Sequence, residues 1–246
     1  SDLIHIFIPG PGYAGMENNN VVFRYNILFD TESQGVQFNN FEGSSLRNKN
    51  ITFEYNVFGP SKANIFNNSD GTDNLIFRHN TVAYIPGGTR TFGRWPMNNY
   101  QIHIGPSTGV QIYNNNIVGI SIEAGAQVDV FDWNILLEVP NPIPTGVDGK
   151  RAFGRFTQVG VDYLLVNPED FDGALQSTSP AINAGTLAFA STTLPGEDIA
   201  GTLIDLRPDI GAWEKSGESP VAEPVPTIYS DTKTTFVDDF EDGHYN

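Results

Sequence analysis

A short apolar run that ends on an asparagine recurs along the first half of the chain. The clearest copies are NVVFRYNILF, NITFEYNVF and NLIFRHNTV. Aligned on the asparagine that closes each run, the repeat has five members, of which the last is a weaker match: Asn26, Asn56, Asn80, Asn115 and Asn134. The spacings of 30, 24, 35 and 19 residues are irregular, as in a solenoid whose coils differ in loop length.

The residues before each closing asparagine alternate between two faces. In the first four copies, the fifth and third positions before the asparagine are apolar: Val21 and Phe23, Ile51 and Phe53, Leu75 and Phe77, Val110 and Ile112. This period of two predicts β-strands with one buried face. In the last copy, VDVFDWNIL, the alternation slips by one residue, which indicates either a β-bulge or a wrong alignment at that point.

Shorter apolar runs lie between these strands, at residues 35–40, 63–68, 100–105 and 120–124. Each coil therefore carries at least two strands that are separated by corners rich in Asn and Gly. Parallel stacking of such coils would bury a continuous core and place the asparagines above one another, where their amides can bond along the stack. The repeat thus predicts an all-β parallel β-helix, with an antiparallel sandwich as the alternative.

Charge and composition exclude several classes of function. Among 246 residues, 39% are hydrophobic and 17% are charged, which indicates a folded chain. A net charge of −16 disfavours binding to nucleic acid or to an anionic membrane, and no apolar run approaches the roughly 20 residues that a membrane helix needs. The lack of cysteine excludes disulfides, thiolate zinc sites and cysteine nucleophiles.

Two later segments carry a resemblance to a known group of proteins. The segments are SPAINAG at residues 179–185 and RPDIGAWE at residues 207–214. Together with the repeat, they resemble the right-handed parallel β-helix proteins, in whose C-terminal closing region a SPAI(D/N)AG run and an R…DIGAxE run occur together. That group includes polysaccharide lyases, glycoside hydrolases and non-catalytic surface proteins. The resemblance implies a secreted or surface bacterial protein that acts on polysaccharide, as a lyase or glycoside hydrolase in the complete protein, with a non-catalytic carbohydrate-binding or adhesive scaffold as the alternative.

The domain organisation follows from the same features. We predict β-helix coils at residues 1–140, their C-terminal closing region at 141–214, and a linker rich in Pro, Ser and Glu at 215–235. The last residues, 236–246, resemble the first strand of a jelly-roll carbohydrate-binding module. We therefore expect the C-terminal part of a larger β-helix, with coils that precede it and a module that follows it.

The longest interruption of the repeat, AYIPGGTRTFGRWPMNNY, combines aromatic rings with guanidinium groups. Aromatic rings suit the faces of sugars, and arginine forks suit carboxylates or sulfates. We expect Trp95, Tyr84 and Tyr100 to bind substrate, and Arg90 or Arg94 to neutralise an acidic substituent during catalysis. The alternative is a structural loop that packs Trp95 against the coils.

One histidine next to that loop is the candidate general acid or base. His103 should face outward from its strand, with Glu123 nearby, and histidine is the side chain that most often serves as general acid or base near neutral pH. In a β-elimination it would remove the proton, and the alternative is an ordinary surface histidine. His79 falls at the same repeat position as Tyr25 and Tyr55 and is predicted to be a satisfied core residue.

The loop NNSDGTDN is the candidate metal site. It presents Asn68, Asp70 and Asp73 together with backbone carbonyls, and calcium accepts such oxygen ligands. Calcium is therefore a candidate cofactor, although a turn capped by Asn and Asp side chains explains the same residues.

A column of outward residues alternates in charge from coil to coil. Its members, two positions before each closing asparagine, are Arg24, Glu54, Arg78, Tyr113 and Asp132. The alternation predicts a ladder of exposed ion pairs with a structural role.

Overall fold

The computed structural model describes the following parts of the chain: residues 4–8, 18–40, 47–85, 90–92, 95–97, 99–138, 154, 156–170, 172–189 and 194–215. The predicted linker, apart from Lys215, and the predicted final module lie outside the described residues. No helix in the described residues is long and apolar enough to cross a membrane.

The regular structure of the described residues is almost entirely β-strand, and a 3-10 helix spans Pro168–Asp170. The strands are β1 Ile4–Ile8, β2 Asn19–Arg24, β3 Ile27–Leu28, β4 Val36–Asn40, β5 Asn48–Glu54, β6 Val57–Phe58, β7 Phe66–Asn68, β8 Thr72–Arg78, β9 Thr81–Val82, β10 Arg90–Phe92, β11 Trp95–Met97, β12 Gln101–Ile104, β13 Val110–Tyr113, β14 Asn116–Ile117, β15 Gly119–Ile122, β16 Val128–Asp132, β17 Ile135–Leu136, β18 Gln158–Val159, β19 Leu165–Asn167 and β20 Asp172–Leu175.

Three parallel sheets form the sides of a β-helix. Sheet A has the order β1-β4-β7-β12-β15, sheet B the order β2-β5-β8-β13-β16, and sheet C the order β3-β6-β9-β14-β17-β18. The chain visits A, B and C in turn, which gives coil 1 (β1–β3), coil 2 (β4–β6), coil 3 (β7–β9), coil 4 (β12–β14) and coil 5 (β15–β17). The predicted parallel β-helix is confirmed, and the antiparallel sandwich is wrong.

The interior of the coils is filled by the apolar columns that the alternation predicted. Phe23 and Phe53 stack with ring centroids 4.6 Å apart, and Phe53 meets the edge of Phe66 from sheet A at 5.0 Å. Phe53, Phe66 and Phe77 are almost completely buried. Because each coil presents the same inward positions, neighbouring coils bury one continuous core.

The closing asparagines form a hydrogen-bonded ladder at the corner between sheets B and C. Each Nδ2 donates to the Oδ1 of the next asparagine: Asn26 to Asn56 at 2.9 Å, Asn56 to Asn80 at 3.0 Å, Asn80 to Asn115 at 3.1 Å and Asn115 to Asn134 at 3.0 Å. The same Oδ1 atoms also accept the backbone N–H of the preceding asparagine. The ladder confirms the predicted column, and it satisfies corner backbone groups that would otherwise be costly to bury.

The residue before each ladder asparagine has a left-handed backbone, with φ between 49° and 60° at Tyr25, Tyr55, His79, Asn114 and Trp133. His79 is completely buried, as predicted, but it lies at this corner rather than inside the coil. Its ring stacks on Tyr55 with centroids 4.7 Å apart. Such a backbone is unfavourable for bulky residues, so the neighbouring structure must hold these rings in place.

The described residues after 160 are here called the C-terminal segment, and they cover the corners of the coils. They pack on the outer face of sheet C and form a second apolar core with it, made of Val57, Ala83, Ile135, Tyr163, Leu165, Leu175, Ala181, Ile182, Ala184, Ile210 and Ala212. The N–H of Gly211 donates to the carbonyl of Asn114 at 2.9 Å, and that of Ala212 to Thr81 Oγ1 at 2.9 Å. The segment therefore lies along the side of the coils.

This cover changes the character of the charged ladder. Arg24, Glu54 and Arg78 form the predicted ion pairs, but Glu54 and Arg78 are buried. Tyr113, the next member, donates its hydroxyl to the carbonyl of Phe189 in the C-terminal segment at 3.2 Å. The expectation of an exposed ladder is wrong at these positions, because a distant part of the chain folds over it.

Candidate functional site

The predicted loop site is described only in part. Arg90 and Trp95 lie on β10 and β11, which pair as an antiparallel hairpin between coils 3 and 4. The side chains of both residues, and the whole of Arg94, lie outside the described residues. Whether Arg90, Arg94 and Trp95 converge on His103 therefore stays a prediction.

Tyr84 and Tyr100 stand at the two ends of the interruption and contact each other. Their rings meet edge to face with centroids 5.2 Å apart. Tyr100 is only 6% exposed and belongs to the coil core, and the half-buried Tyr84 packs against that core. Tyr100 therefore has almost no exposed surface with which to contact a sugar, and the pair anchors the base of the interruption on the coils.

His103 faces outward from β12, as predicted, and is close to a carboxylate. Its Nε2 lies 3.0 Å from Oε1 of Glu123, with side-chain exposures of 21% and 44% respectively. In the sheet register His103 stands between Asn67 on β7 and Ser121 on β15. A histidine paired with a carboxylate and open to solvent can hold or transfer a proton.

The predicted metal loop is a hydrogen-bonded turn. The Asn68 amide is engaged at both ends, because Oδ1 accepts the hydroxyl of Thr72 at 2.9 Å and Nδ2 donates to Ser107 Oγ at 3.1 Å. Asp73 accepts a hydroxyl from the next coil at 2.8 Å, and Asp70 is exposed. In the described part of the chain, no three His, Asp or Glu side chains are placed to hold a metal ion. Calcium stays a prediction, and the capped turn accounts for Asn68.

A groove that the sequence did not predict crosses the outer face of sheet B. It has a volume of about 430 Å³ and touches all five coils. Its floor is formed by the outward residues four positions before the ladder asparagines: Val22, Thr52, Ile76 and Gln111. Val22 is 52% exposed and Ile76 is half-buried, so the floor offers apolar surface to a ligand.

One wall of the groove is a second row of asparagines. Asn20, Asn50 and Asn74 have left-handed backbones with φ of 58°, 51° and 56°, and Gly109 continues the row at 64°. Asn and Gly tolerate this conformation best. Nδ2 of Asn74 donates to Oδ1 of Asn50 at 2.8 Å, and Nδ2 of Asn50 donates to Oδ1 of Asn19 at 2.8 Å. All three row asparagines are exposed.

The row had a visible sequence signal. Asn20, Asn50 and Asn74 open the three repeat copies, each six positions before a ladder asparagine. The closing asparagine marks the corner after the strand, whereas this second asparagine lies near the start of the strand. The left-handed backbone turns these side chains along the outer face, which an alternation of strand residues alone does not reveal.

A β-bulge closes the far end of the groove. Val110 pairs with Val128, but Gln111 pairs with Val130, so Asp129 is the extra residue that the slipped alternation indicated. Asp129 is exposed and lines the groove. Among the described residues that line it, Asp129 is the only titratable one.

Strongly shifted pKa values occur elsewhere, where the C-terminal segment meets the corners of sheet B. Burial raises the pKa of Glu214 to about 9 and that of Asp209 to about 6, and burial lowers the pKa of His79 to about 3. Oε2 of Glu214 accepts the N–H of Asp209 at 3.0 Å, and Nε2 of His79 accepts from Asn114 Nδ2 at 2.9 Å. These contacts are internal, so we assign the three groups to packing of the segment.

No protein-family model matches the chain, and no curated protein matches it either. The case for a function therefore depends on the fold, on the groove of sheet B and on the His103–Glu123 pair of sheet A.

Proposed function

We propose that this protein binds an extracellular polysaccharide in the groove on the outer face of sheet B. The observation that carries the proposal is the row of three exposed asparagines, one in each of coils 1 to 3, beside a floor in which Val22 and Ile76 offer apolar surface. The resemblance of the repeat and of the segments at 179–185 and 207–214 to polysaccharide-active β-helix proteins supports the same class of ligand and an extracellular location.

The row amides retain hydrogen-bonding capacity for a ligand. An amide has two N–H groups and two lone pairs on its oxygen. In the row, Asn50 uses one N–H towards Asn19 and one lone pair towards Asn74. One donor and one acceptor site are left, which suits a sugar hydroxyl that both donates and accepts. The floor of Val22 and Ile76 suits the C–H surface of a sugar ring, because contact with it removes apolar area from water.

Catalysis is a second candidate, and the His103–Glu123 contact at 3.0 Å favours it. In a lyase, His103 would remove the proton while Arg90 or Arg94 neutralises the substrate carboxylate. A glycoside hydrolase usually needs two carboxyl groups roughly 5 to 9.5 Å apart, and the described lining of the groove provides Asp129 alone. The groove therefore supports binding, and turnover would depend on the His103–Glu123 pair of sheet A.

Binding can be tested by titrating the protein with a panel of polysaccharides. The double variant Asn50→Ala/Asn74→Ala is expected to weaken binding at least tenfold, since each lost amide removes a hydrogen bond worth about 1 kcal/mol and exposes the floor to water. Asn167→Ala, at an exposed amide on β19 that does not line the groove, is the matched control. If no polysaccharide binds, or if the double variant binds as well as the wild type, the proposal is wrong.

Turnover is tested separately by following the release of reducing ends and unsaturated products. His103→Ala should abolish any such activity and leave binding within about twofold, because a base acts in the transition state and not in ground-state affinity. Activity that survives in His103→Ala would exclude His103 as the base.

A further inference from the structure

The residues that line the groove repeat from coil to coil and include one negative charge. Together these two properties define a narrower class of ligand. Assuming that the groove is the polysaccharide site proposed above, we propose that it takes a neutral, extended, β-1,4-linked glycan that lies along the coil axis with one sugar per coil. Three observations carry this inference: the charge of the lining, the interval between the row amides, and the number of coils that the groove crosses.

The lining discriminates against acidic glycans. Asp129 is the only titratable group among the described lining residues, and the chain carries a net charge of −16. The arginines on the same face are already engaged, because Arg24 and Arg78 both pair with Glu54. A uronic acid or a sulfated sugar would therefore meet one carboxylate and no available guanidinium, which is repulsive at short range.

The interval between the row amides matches an extended chain. Asn50 and Asn74 lie on hydrogen-bonded neighbouring strands, and such strands are about 4.8 Å apart. Equivalent side chains recur at that interval along the coil axis. An extended β-1,4-linked glycan advances by nearly the same distance per sugar, whereas an α-1,4-linked glucan winds into a helix. Only the extended ribbon keeps successive sugars in register with the amides of Asn20, Asn50 and Asn74.

The amides also suit the alternation of such a ribbon. Neighbouring sugars in an extended β-1,4-linked chain are turned over, so one edge presents different hydroxyl groups in turn. Asn50 keeps one donor and one acceptor site after its row bonds to Asn19 and Asn74. An amide with both functions can bond to either edge, so the row does not need to alternate as the sugars do.

The length of the groove sets the length of the ligand. Lining residues come from each of the five coils, from Asn20 and Val22 in coil 1 to Asp129 in coil 5. With one sugar per coil, affinity should rise with chain length up to about five sugars and then stay constant. A ligand that packs on the floor without this register would not show a plateau at that length.

Isothermal titration with oligosaccharides of defined length tests the inference. Cello-, xylo- or manno-oligosaccharides of two to seven sugars are the neutral ribbon probes, oligomannuronates, which are β-1,4-linked uronates, are the acidic probes, and malto-oligosaccharides are the helical ones. We expect at least one neutral ribbon series to bind with a plateau near five sugars, and the acidic and helical series to bind at least tenfold more weakly. Asp129→Lys should increase the affinity for oligomannuronate at least fivefold, because it replaces the carboxylate of the lining by an ammonium group.

The outcomes separate this inference from the proposed function. If acidic or helical glycans bind as tightly as the ribbon series, and that binding is lost in Asn50→Ala/Asn74→Ala, the groove is a glycan site but the ribbon inference is wrong. If a ribbon series binds with no plateau near five sugars, the register of one sugar per coil is wrong. If none of the probes binds but another polysaccharide of the panel binds and is lost in the double variant, only this inference is wrong. If no polysaccharide binds, or the double variant has no effect, both the proposed function and this inference fail.

Discussion

Oε2 of Glu54 lies 2.8 Å from Nε and 2.6 Å from Nη2 of Arg78, and each of the two side chains is only 1% exposed. The other oxygen of Glu54 accepts from Nε of Arg24 at 2.6 Å in the preceding coil. Nη1 of Arg78 donates to the hydroxyl of Tyr113 in the following coil at 3.0 Å. One buried carboxylate thus joins two arginines, and the network extends over four coils.

Removal of the Glu54 charge should be strongly destabilising. Glu54→Gln leaves the buried guanidinium of Arg78 without a counter-ion, and breaking a buried pair in this way typically costs about 3 to 5 kcal/mol. The free energy of unfolding from denaturant titration measures the effect. Asp73→Asn is the control, because the Arg47–Asp73 pair is partly exposed at 3.8 Å and should contribute less than about 1 kcal/mol. Equal losses in the two variants would contradict the role assigned to Glu54.

Replacement of a ladder asparagine by alanine should destabilise the protein more in the interior of the ladder than at its end. Nδ2 of Asn80 donates to Asn115, and its Oδ1 accepts the N–H of Asn56. Asn80→Ala is expected to destabilise the protein by about 1 to 3 kcal/mol, because buried groups lose their partners. Asn26 is half-buried at the first rung. Asn26→Ala should therefore lower the free energy of unfolding by less than about 1 kcal/mol. The ladder interpretation would be wrong if the two variants unfolded at the same denaturant concentration as the wild type.

Stability should fall as the pH rises into the alkaline range. Burial raises the pKa of Glu214 from 4.5 to about 9, so the folded chain holds a proton that the unfolded chain releases. This contribution is fully present below about pH 4.5 and is lost as the pH rises through about 9. Glu214→Gln should flatten the melting temperature between about pH 5 and pH 9. Glu138→Gln, at an exposed carboxylate, is the control, and a Glu214→Gln profile as steep as the wild type would disprove the assignment.

The opposite dependence is expected from the buried histidine. Burial lowers the pKa of His79 from 6.5 to about 3. Between these two pH values the unfolded chain binds a proton at this histidine and the folded chain does not. The stability associated with neutral His79 is present above about pH 6.5 and is lost as the pH falls towards 3. His79→Phe should reduce the loss of melting temperature between about pH 6.5 and pH 4. A variant that loses stability as steeply as the wild type in this range would refute the prediction.

Docking of the C-terminal segment should depend on one glycine. Gly211 has φ of 112°, and a Cβ there would lie 2.4 Å from Nδ2 of Asn116 and 2.5 Å from Oγ1 of Thr81. Gly211→Ala should therefore cost more than about 1 kcal/mol and increase cleavage of the segment by proteases. At Gly196 a Cβ would meet nothing within 4 Å, so Gly196→Ala should leave the stability and the protease cleavage rate unchanged. Similar cleavage rates in the two variants would mean that the segment does not depend on this close approach.

The coils could be predicted because their determinants are local and repeated. The alternation around Phe53 and Phe77 fixes which face is buried, and Asn56 and Asn80 mark the corners by recurring at the same strand position. The slipped alternation in VDVFDWNIL indicated a bulge or a wrong alignment, and the structure shows the bulge at Asp129. Each of these signals lies within one strand and its neighbours, where sequence and backbone geometry are directly linked.

What could not be predicted depends on contacts between distant parts of the chain. Glu54 and Arg78 have the sequence pattern of a solvated ladder, and only the fold brings Phe189 over Tyr113 beside them. The groove depends on the left-handed backbone at Asn50 and on the register between coils, neither of which is encoded by the apolar period. The composition of the interruption predicts Tyr100 at a sugar site, but its ring is part of the core.

The spacing between ladder asparagines also bears on how such a chain can evolve and be engineered. Asn20, Asn50 and Asn74 each stand six positions before a ladder asparagine. The short sheet C strand that follows the ladder asparagine also keeps the same length in each coil. Apart from the extra residue of the bulge at Asp129 in sheet B, the variation falls in the return through sheet A, from 19 residues between Asn115 and Asn134 to 35 in the coil interrupted by the β10–β11 hairpin. Peptides inserted or deleted there would leave the hydrogen-bonded corner intact, so new specificities can be grafted on one side while the opposite side conserves the shape of the molecule.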